Sequence, residues 1–102
     1  MTDYIVIGEL EVKTSDEKNT LTWHEAMKGF SDGWRLPTRE ELNVLYQHKD
    51  VVGGFAYFFY WSSTEYSSTN AWYQSFNFGV LNNGAKTATC LVRAVRAVRA
   101  CY

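Results

Sequence analysis

One stretch limits the fold more than any other: Gly33-Trp34-Arg35-Leu36-Pro37-Thr38-Arg39-Glu40-Glu41-Leu42. Pro37, the only proline in the chain, fixes its own φ and keeps Leu36 out of the α region, so the segment arrives extended. Thr38 followed three residues later by Glu41 is a capping box, which predicts a helix with Thr38 as its N-cap. Leu42, Leu45 and Tyr46 then recur at helical spacing as one apolar stripe. That helix is expected to run from Thr38 to about Lys49, before Gly53-Gly54 break the chain. Trp34, Leu36 and Pro37 anchor the approach. The stretch reads as scaffold.

A second capping box, Thr22-Trp23-His24-Glu25, predicts a shorter first helix. Trp23, Ala26, Met27 and Phe30 form its apolar side, and it stops near Gly29. Ahead of it, Tyr4-Ile5-Val6-Ile7 is a β-type run that Leu10 and Val12 continue by alternation past Gly8. Residues 14–19 read as a polar turn. After the helices the chain reads as β: Phe55 to Trp61 is densely aromatic, and Ser62 to Asn70 is polar and loop-like. Across 71–79, Trp72, Phe76 and Phe78 share one parity while Tyr73, Ser75 and Asn77 share the other. This predicts a half-buried strand whose first set holds the sheet and whose second set faces outward. Asn82-Asn83-Gly84 offers a hairpin turn, and 87–98 supplies the return strand or strands.

At 102 residues the chain is long enough for one core and short enough for one domain, residues 1–102. A formal net charge of −1 supplies no electrostatic reason to expect nucleic acid or an anionic membrane as partner. No apolar run approaches the ~20 residues of a membrane span, so no membrane insertion is expected. The start Met1-Thr2-Asp3-Tyr4-Ile5 lacks the basic and apolar regions of a secretory signal. The aromatic share of 17% stands out, and it crowds into the middle of the chain. Aromatic side chains are favoured both in cores and at recognition surfaces.

Candidate catalytic patterns fail on context. Gly29-Phe30-Ser31-Asp32-Gly33 matches a nucleophile elbow, but a helix precedes it where a strand is needed, so it reads as a helix stop and turn. His24-Glu25 begins like a zinc-binding helix motif, yet Lys28 stands where the second histidine belongs. No metal and no cofactor are expected. Cys90 and Cys101 would lie roughly 35 Å apart along one strand at ~3.3 Å per residue, so both read as free thiols. Arg93, Arg96 and Arg99 look like a basic stripe, but strand geometry puts Arg96 on the face opposite the other two. A structural role is expected for Arg93 and Arg96, with their heads on carboxylates or backbone carbonyls. What remains is the segment from Ser62 to Lys86. Glu65, Tyr66, Asn70, Tyr73, Asn77, Asn82, Asn83 and Lys86 are the candidate ligand contacts, in the Tyr, Ser and Asn vocabulary of adaptable surfaces. Trp61 and Trp72 are assigned to the scaffold beneath them.

Gly33-Trp34-Arg35-Leu36-Pro37-Thr38, Glu41-Leu42, Tyr60-Trp61-Ser62-Ser63-Thr64-Glu65 and Val92-Arg93-Ala94-Val95-Arg96 occur in the order that resembles the Lcl C-terminal domain family. The opening is also similar to that of the formylglycine-generating-enzyme group. The resemblance implies a C-type-lectin-like fold: two helices flanking a twisted antiparallel sheet, with paired N- and C-terminal strands. The runs Tyr4–Ile7 and Leu91–Val98 are suitable partners for that pairing. The triplets of calcium-dependent sugar-binding lectins are absent, and Cys90 and Cys101 do not reproduce the cysteine pair of the formylglycine enzymes. The expectation is therefore a non-catalytic module, not an enzyme, with the fold class α+β. Absence of a secretion signal tilts the expected location toward a phage virion, as a tail-fibre, tail-tip or capsid-bound protein that recognises glycan or protein on a host surface. Structural decoration of a virion and a secreted bacterial adhesin at the cell surface are the alternatives. A homotrimer is compatible with the resemblance and unmarked in the chain.

Overall fold

Both capping boxes form in the computed structural model, which describes residues 3–98. Thr22 and Glu25 exchange side-chain and backbone hydrogen bonds at the start of α1 (Trp23–Lys28), and Thr38 and Glu41 do the same for α2 (Arg39–Gln47). Each box satisfies amides that the first helical turn would leave unpaired. α2 ends at Gln47, earlier than its apolar spacing suggests. His48 is the joint to a separate short turn, α3 (Lys49–Val52).

The strands are β1 (Tyr4–Ile7), β2 (Leu10–Lys13), β3 (Leu21–Thr22), β4 (Phe59–Glu65), β5 (Asn70–Ser75), β6 (Leu81–Ala85), β7 (Thr89–Cys90) and β8 (Val95–Ala97). They form three antiparallel sheets, β1-β2-β8, β3-β7 and β4-β5-β6, and with the helices make an α+β fold. Three expectations change. First, the chain reverses at Gly8-Glu9, so Leu10 and Val12 belong to a second strand. That strand, and not Tyr4–Ile7, pairs with β8, with Val12 opposite Val95. Second, Ser62 to Glu65 continue β4, which confines the polar loop to 66–69.

Third, the β5–β6 hairpin turns at 76–80, and Asn82-Asn83-Gly84 lie in β6 opposite Tyr73, Trp72 and Ala71. The earlier turn has its own chemistry. Ser75 Oγ accepts the Asn77 and Phe78 amides, and Gly79 takes a positive φ of 77° where a Cβ would meet the Tyr46 ring at 2.5 Å. Only glycine suits that corner.

Two hydrophobic clusters result. Val12, Leu42, Leu45, Val52, Tyr60, Phe76 and Val95 form one; Trp23, Ala26, Leu36, Trp61, Ala71, Cys90 and Val92 form the other. Tyr60 and Trp61, adjacent in β4, project to opposite sides as strand neighbours must, and each feeds one cluster. Both indoles are satisfied: Trp61 Nε1 donates to Leu21 O and Trp23 Nε1 to Ser62 O, each at 2.9 Å.

Arg93 ties distant segments together. It is fully buried, with Nε on Asp16 Oδ1 at 2.8 Å and Nη1 on the Lys13 and Gly53 carbonyls at 2.9 and 3.0 Å. The Phe55 ring lies 3.9 Å from its guanidinium. The Tyr60 hydroxyl donates to the other Asp16 oxygen at 2.7 Å. Burial, and then the neighbouring Asp16 carboxylate, push the Tyr60 phenol pKa up. Arg96 pairs with Glu11 and stacks over Trp34, 4.2 Å from the ring. Arg99 and Cys101, named in the sequence reading, lie outside the described residues.

Candidate functional site

The WRLPT segment is stitched down on every side. Arg35 exchanges backbone hydrogen bonds with Val95, Ser63 N donates to Pro37 O at 2.7 Å, and Arg39 N donates to Thr64 Oγ1 at 3.0 Å. Arg35 also forks onto Glu41, with Nη1–Oε1 at 2.6 Å and Nη2–Oε2 at 3.0 Å. Burial works to raise the Glu41 pKa, but the hydrogen bonds from Arg35 and Thr38 outweigh it and hold the carboxyl below its ordinary value. Leu36 and Pro37 are buried, and Trp34 is half-buried between the Lys13 ammonium and the Arg96 guanidinium. This region's polar groups are committed to one another.

The β4-β5-β6 sheet behaves differently. Its register puts Trp61 opposite Tyr73 and Tyr73 opposite Asn82, so these three share a face. Phe59 joins them, its ring 5.0 Å from that of Tyr73. Tyr73 lies over Gly84, where a Cβ would come within 2.9 Å of the ring. Beyond this pair the sheet end is solvent-facing and aromatic: Tyr57, Phe58, Phe59 and Phe78 are exposed, Tyr57 and Phe78 by 75% and 77%. Val80 and Leu81, next to the hairpin turn, are exposed as well. Phe76 N donates to Phe58 O at 2.9 Å, which fixes the aromatic run beside the hairpin turn. Neither 53–64 nor 70–85 contains an Asp, Glu, Lys or Arg.

The opposite face carries a second group. Trp72 is half-buried, with the Arg39 guanidinium 4.7 Å from its ring and Tyr66 packed edge-on at 5.5 Å. Asn70 Nδ2 donates to Asn83 Oδ1 at 2.9 Å. Gln74 Nε2 reaches Asn43 Oδ1 and Gly79 O, fastening the sheet to α2.

The eight candidate contacts therefore do not form one platform. Tyr73 and Asn82 meet on one face, while Tyr66, Asn70 and Asn83 gather on the other. Asn77 sits exposed in the turn rather than on the strand. Lys86 is buried: its ammonium lies 2.6 Å from Glu65 and 4.5 Å from the Trp23 ring, so it is no surface contact. The ammonium thus meets a ring face and a carboxylate at once. Phe78 and Trp72 also depart from their expected buried parity, because the strand ends at Ser75 and β5 is covered on both faces.

Sequence reasoning missed Tyr57, Phe58, Phe59, Phe78 and Val80. The signal was present in Tyr57-Phe58-Phe59-Tyr60-Trp61, since consecutive strand residues cannot all point inward.

Cys90 is buried and its thiol pKa is pushed up to about 12 by that burial, which leaves almost no thiolate near neutral pH. Among the described residues, no group of three or more His, Cys, Asp or Glu could hold a metal ion, and no hydrogen bond joins Ser31 to a histidine. No helix among them is long and apolar enough to cross a membrane. A cleft of about 540 Å³ lies beside α2, with Ile7, Leu10 and Val44 in its walls. Its Arg35 and Glu41 are already paired, and its His48 Nδ1 is bonded to Val44 O.

A family model described as the Lcl C-terminal domain matches residues 11–96. No curated protein matches the chain.

Proposed function

Because the chain belongs to the Lcl C-terminal domain family, we propose that it is a non-catalytic binding module on a C-type-lectin-like frame. It works on a phage virion, at a tail fibre, tail tip or capsid surface, and recognises glycan or protein on the host. The observation that carries this reading is the exposed, uncharged aromatic end of the β4-β5-β6 sheet. Monomeric soluble proteins rarely leave a contiguous patch of large apolar side chains in water, and such patches mark contact surfaces. Rigid rings offer much contact area at small entropic cost. Asn82, beside Tyr73, supplies amide hydrogen bonding at the rim.

A binding screen of the purified chain against glycans and host envelope fractions tests the proposal. The double variant Phe59→Ser, Phe78→Ser is expected to lose binding about tenfold or more while its melting temperature and far-UV spectrum hold. Tyr73 is a poorer probe, since it also covers Gly84 and packs on Trp61. Because the surface carries no charge, binding should change little with ionic strength. Undiminished binding by the double variant defeats the reading. Capture by particles that lack this subunit, with none by host surfaces, would move the module to virion decoration, which the same exposed patch favours.

A further inference from the structure

Among the described residues, the β6 edge is the strand border of its sheet with no neighbour, because β4 is covered on its far side by backbone hydrogen bonds to Leu91. The phase of the β5–β6 ladder follows from its ends. Lys86 N donates to Thr69 O at 2.8 Å and Ser75 N to Val80 O at 2.9 Å. Backbone groups in an antiparallel ladder alternate direction, so residues 80, 82, 84 and 86 face β5 while Leu81, Asn83 and Ala85 turn theirs to open solvent.

Edges of this kind are ordinarily guarded by lysine, proline or a bulge. Here the strand reads Leu81-Asn82-Asn83-Gly84-Ala85, with no charge, no proline and an uninterrupted register against β5. A single guard is present. Asn82 Oδ1 accepts the outward Asn83 N–H at 2.8 Å. The Ala85 carbonyl takes the Ala88 N–H at 3.0 Å but keeps a second lone pair.

We propose that this edge pairs with the β6 edge of a second copy of the chain, antiparallel about a two-fold axis at Asn83, and that Asn82 limits the pairing by capping the Asn83 N–H. The occupant follows from the groups on offer. Unpaired N–H and C=O at two-residue spacing match an extended strand. A two-fold centred on Asn83 sets Leu81 of one copy against Ala85 of the other and makes Asn83 its own partner. An isologous contact brings each residue type back onto its own surroundings, so charge is what usually opposes it. None exists across 70–85. Phe78, Val80 and Leu81, exposed beside the edge, would gain cover from the second copy. The contact runs through the backbone groups of β6, so it does not rest on the binding function proposed above.

Sedimentation velocity over a micromolar-to-millimolar series of the full chain reads the result. The wild type should pass from monomer to dimer in the upper part of that range. Asn82→Ala, which frees the Asn83 N–H, should move the transition to about tenfold lower concentration. An ordinary contact role for Asn82 would move it the other way. Asn83→Pro removes the outward N–H, which edge strands tolerate, together with the side-chain oxygen that accepts from Asn70, and should abolish the dimer with the fold retained. Should that variant fail to fold, Leu81→Lys places like charges near the axis and should weaken association instead. A wild type and an Asn82→Ala variant both monomeric at millimolar concentration overturn the proposal, as does Asn83→Pro dimerising like the wild type.

Discussion

The segment from Trp34 to Gln47 and the sheet end formed by 57–59 and 76–82 both carry large aromatic or aliphatic side chains, yet they dispose of them in opposite ways. In the first, Arg35 closes on Glu41, Thr38 caps α2, and Leu36, Leu42 and Leu45 are buried. In the second, Tyr57, Phe58 and Phe78 stand in water with no charged neighbour in their own stretch. A frame that satisfies its own groups can support a surface that does not, because stability is drawn from elsewhere. The aromatic end can therefore exchange side chains at little cost in stability, while the frame cannot.

The contrast breaks most severely if the frame tolerates loss of Arg93. Arg93→Ala leaves Asp16 Oδ1 and two carbonyls without their guanidinium donor and the carboxylate without its counter-charge, and should cost about 3–5 kcal/mol in urea unfolding. A loss near zero would mean that the buried network contributes nothing. Next comes Thr38→Ala, which removes the cap from the Glu41 amide and should cost about 1 kcal/mol in the same measurement.

The Glu41 carboxyl sharpens the comparison through pH. Its folded pKa lies below the unfolded value, so its stabilisation is complete above the unfolded value and is lost as pH falls through the folded one. Wild type should therefore exceed Glu41→Gln in stability at neutral pH, with the gap closing on acidification. A gap that persists in acid would remove the charge from the explanation. The smallest effect belongs to the sheet end: Phe78→Ser should change stability by no more than about 0.5 kcal/mol, since the ring makes no core contact. A larger loss would show that the exposed aromatics are structural after all.

Legibility followed the same division. The helix starts at Thr22 and Thr38 were readable because a capping box closes within four residues. The reversal at Gly8-Glu9 was not, since alternation on both sides of a tight turn looks like one strand. Asn82-Asn83-Gly84 carried a strong local turn signal that lost to Ser75 and Gly79 three to seven residues upstream. Of the candidate contacts, Tyr73 and Asn82 meet on one face only because 82–84 form a strand and not a turn, and the burial of Lys86 depends on Glu65 and Trp23, far away in sequence.

Local chemistry alone determined the caps, the approach through Pro37 and the family, since each is written within a few neighbouring residues or in their order along the chain. Tertiary structure decided which aromatics reach water, which face each asparagine joins, and that Arg93 is enclosed by segments from Lys13, Asp16 and Gly53. The physical reason is range. A hydrogen bond to the third residue along is a property of the sequence, whereas exposure is set by whatever distant segment happens to pack on top.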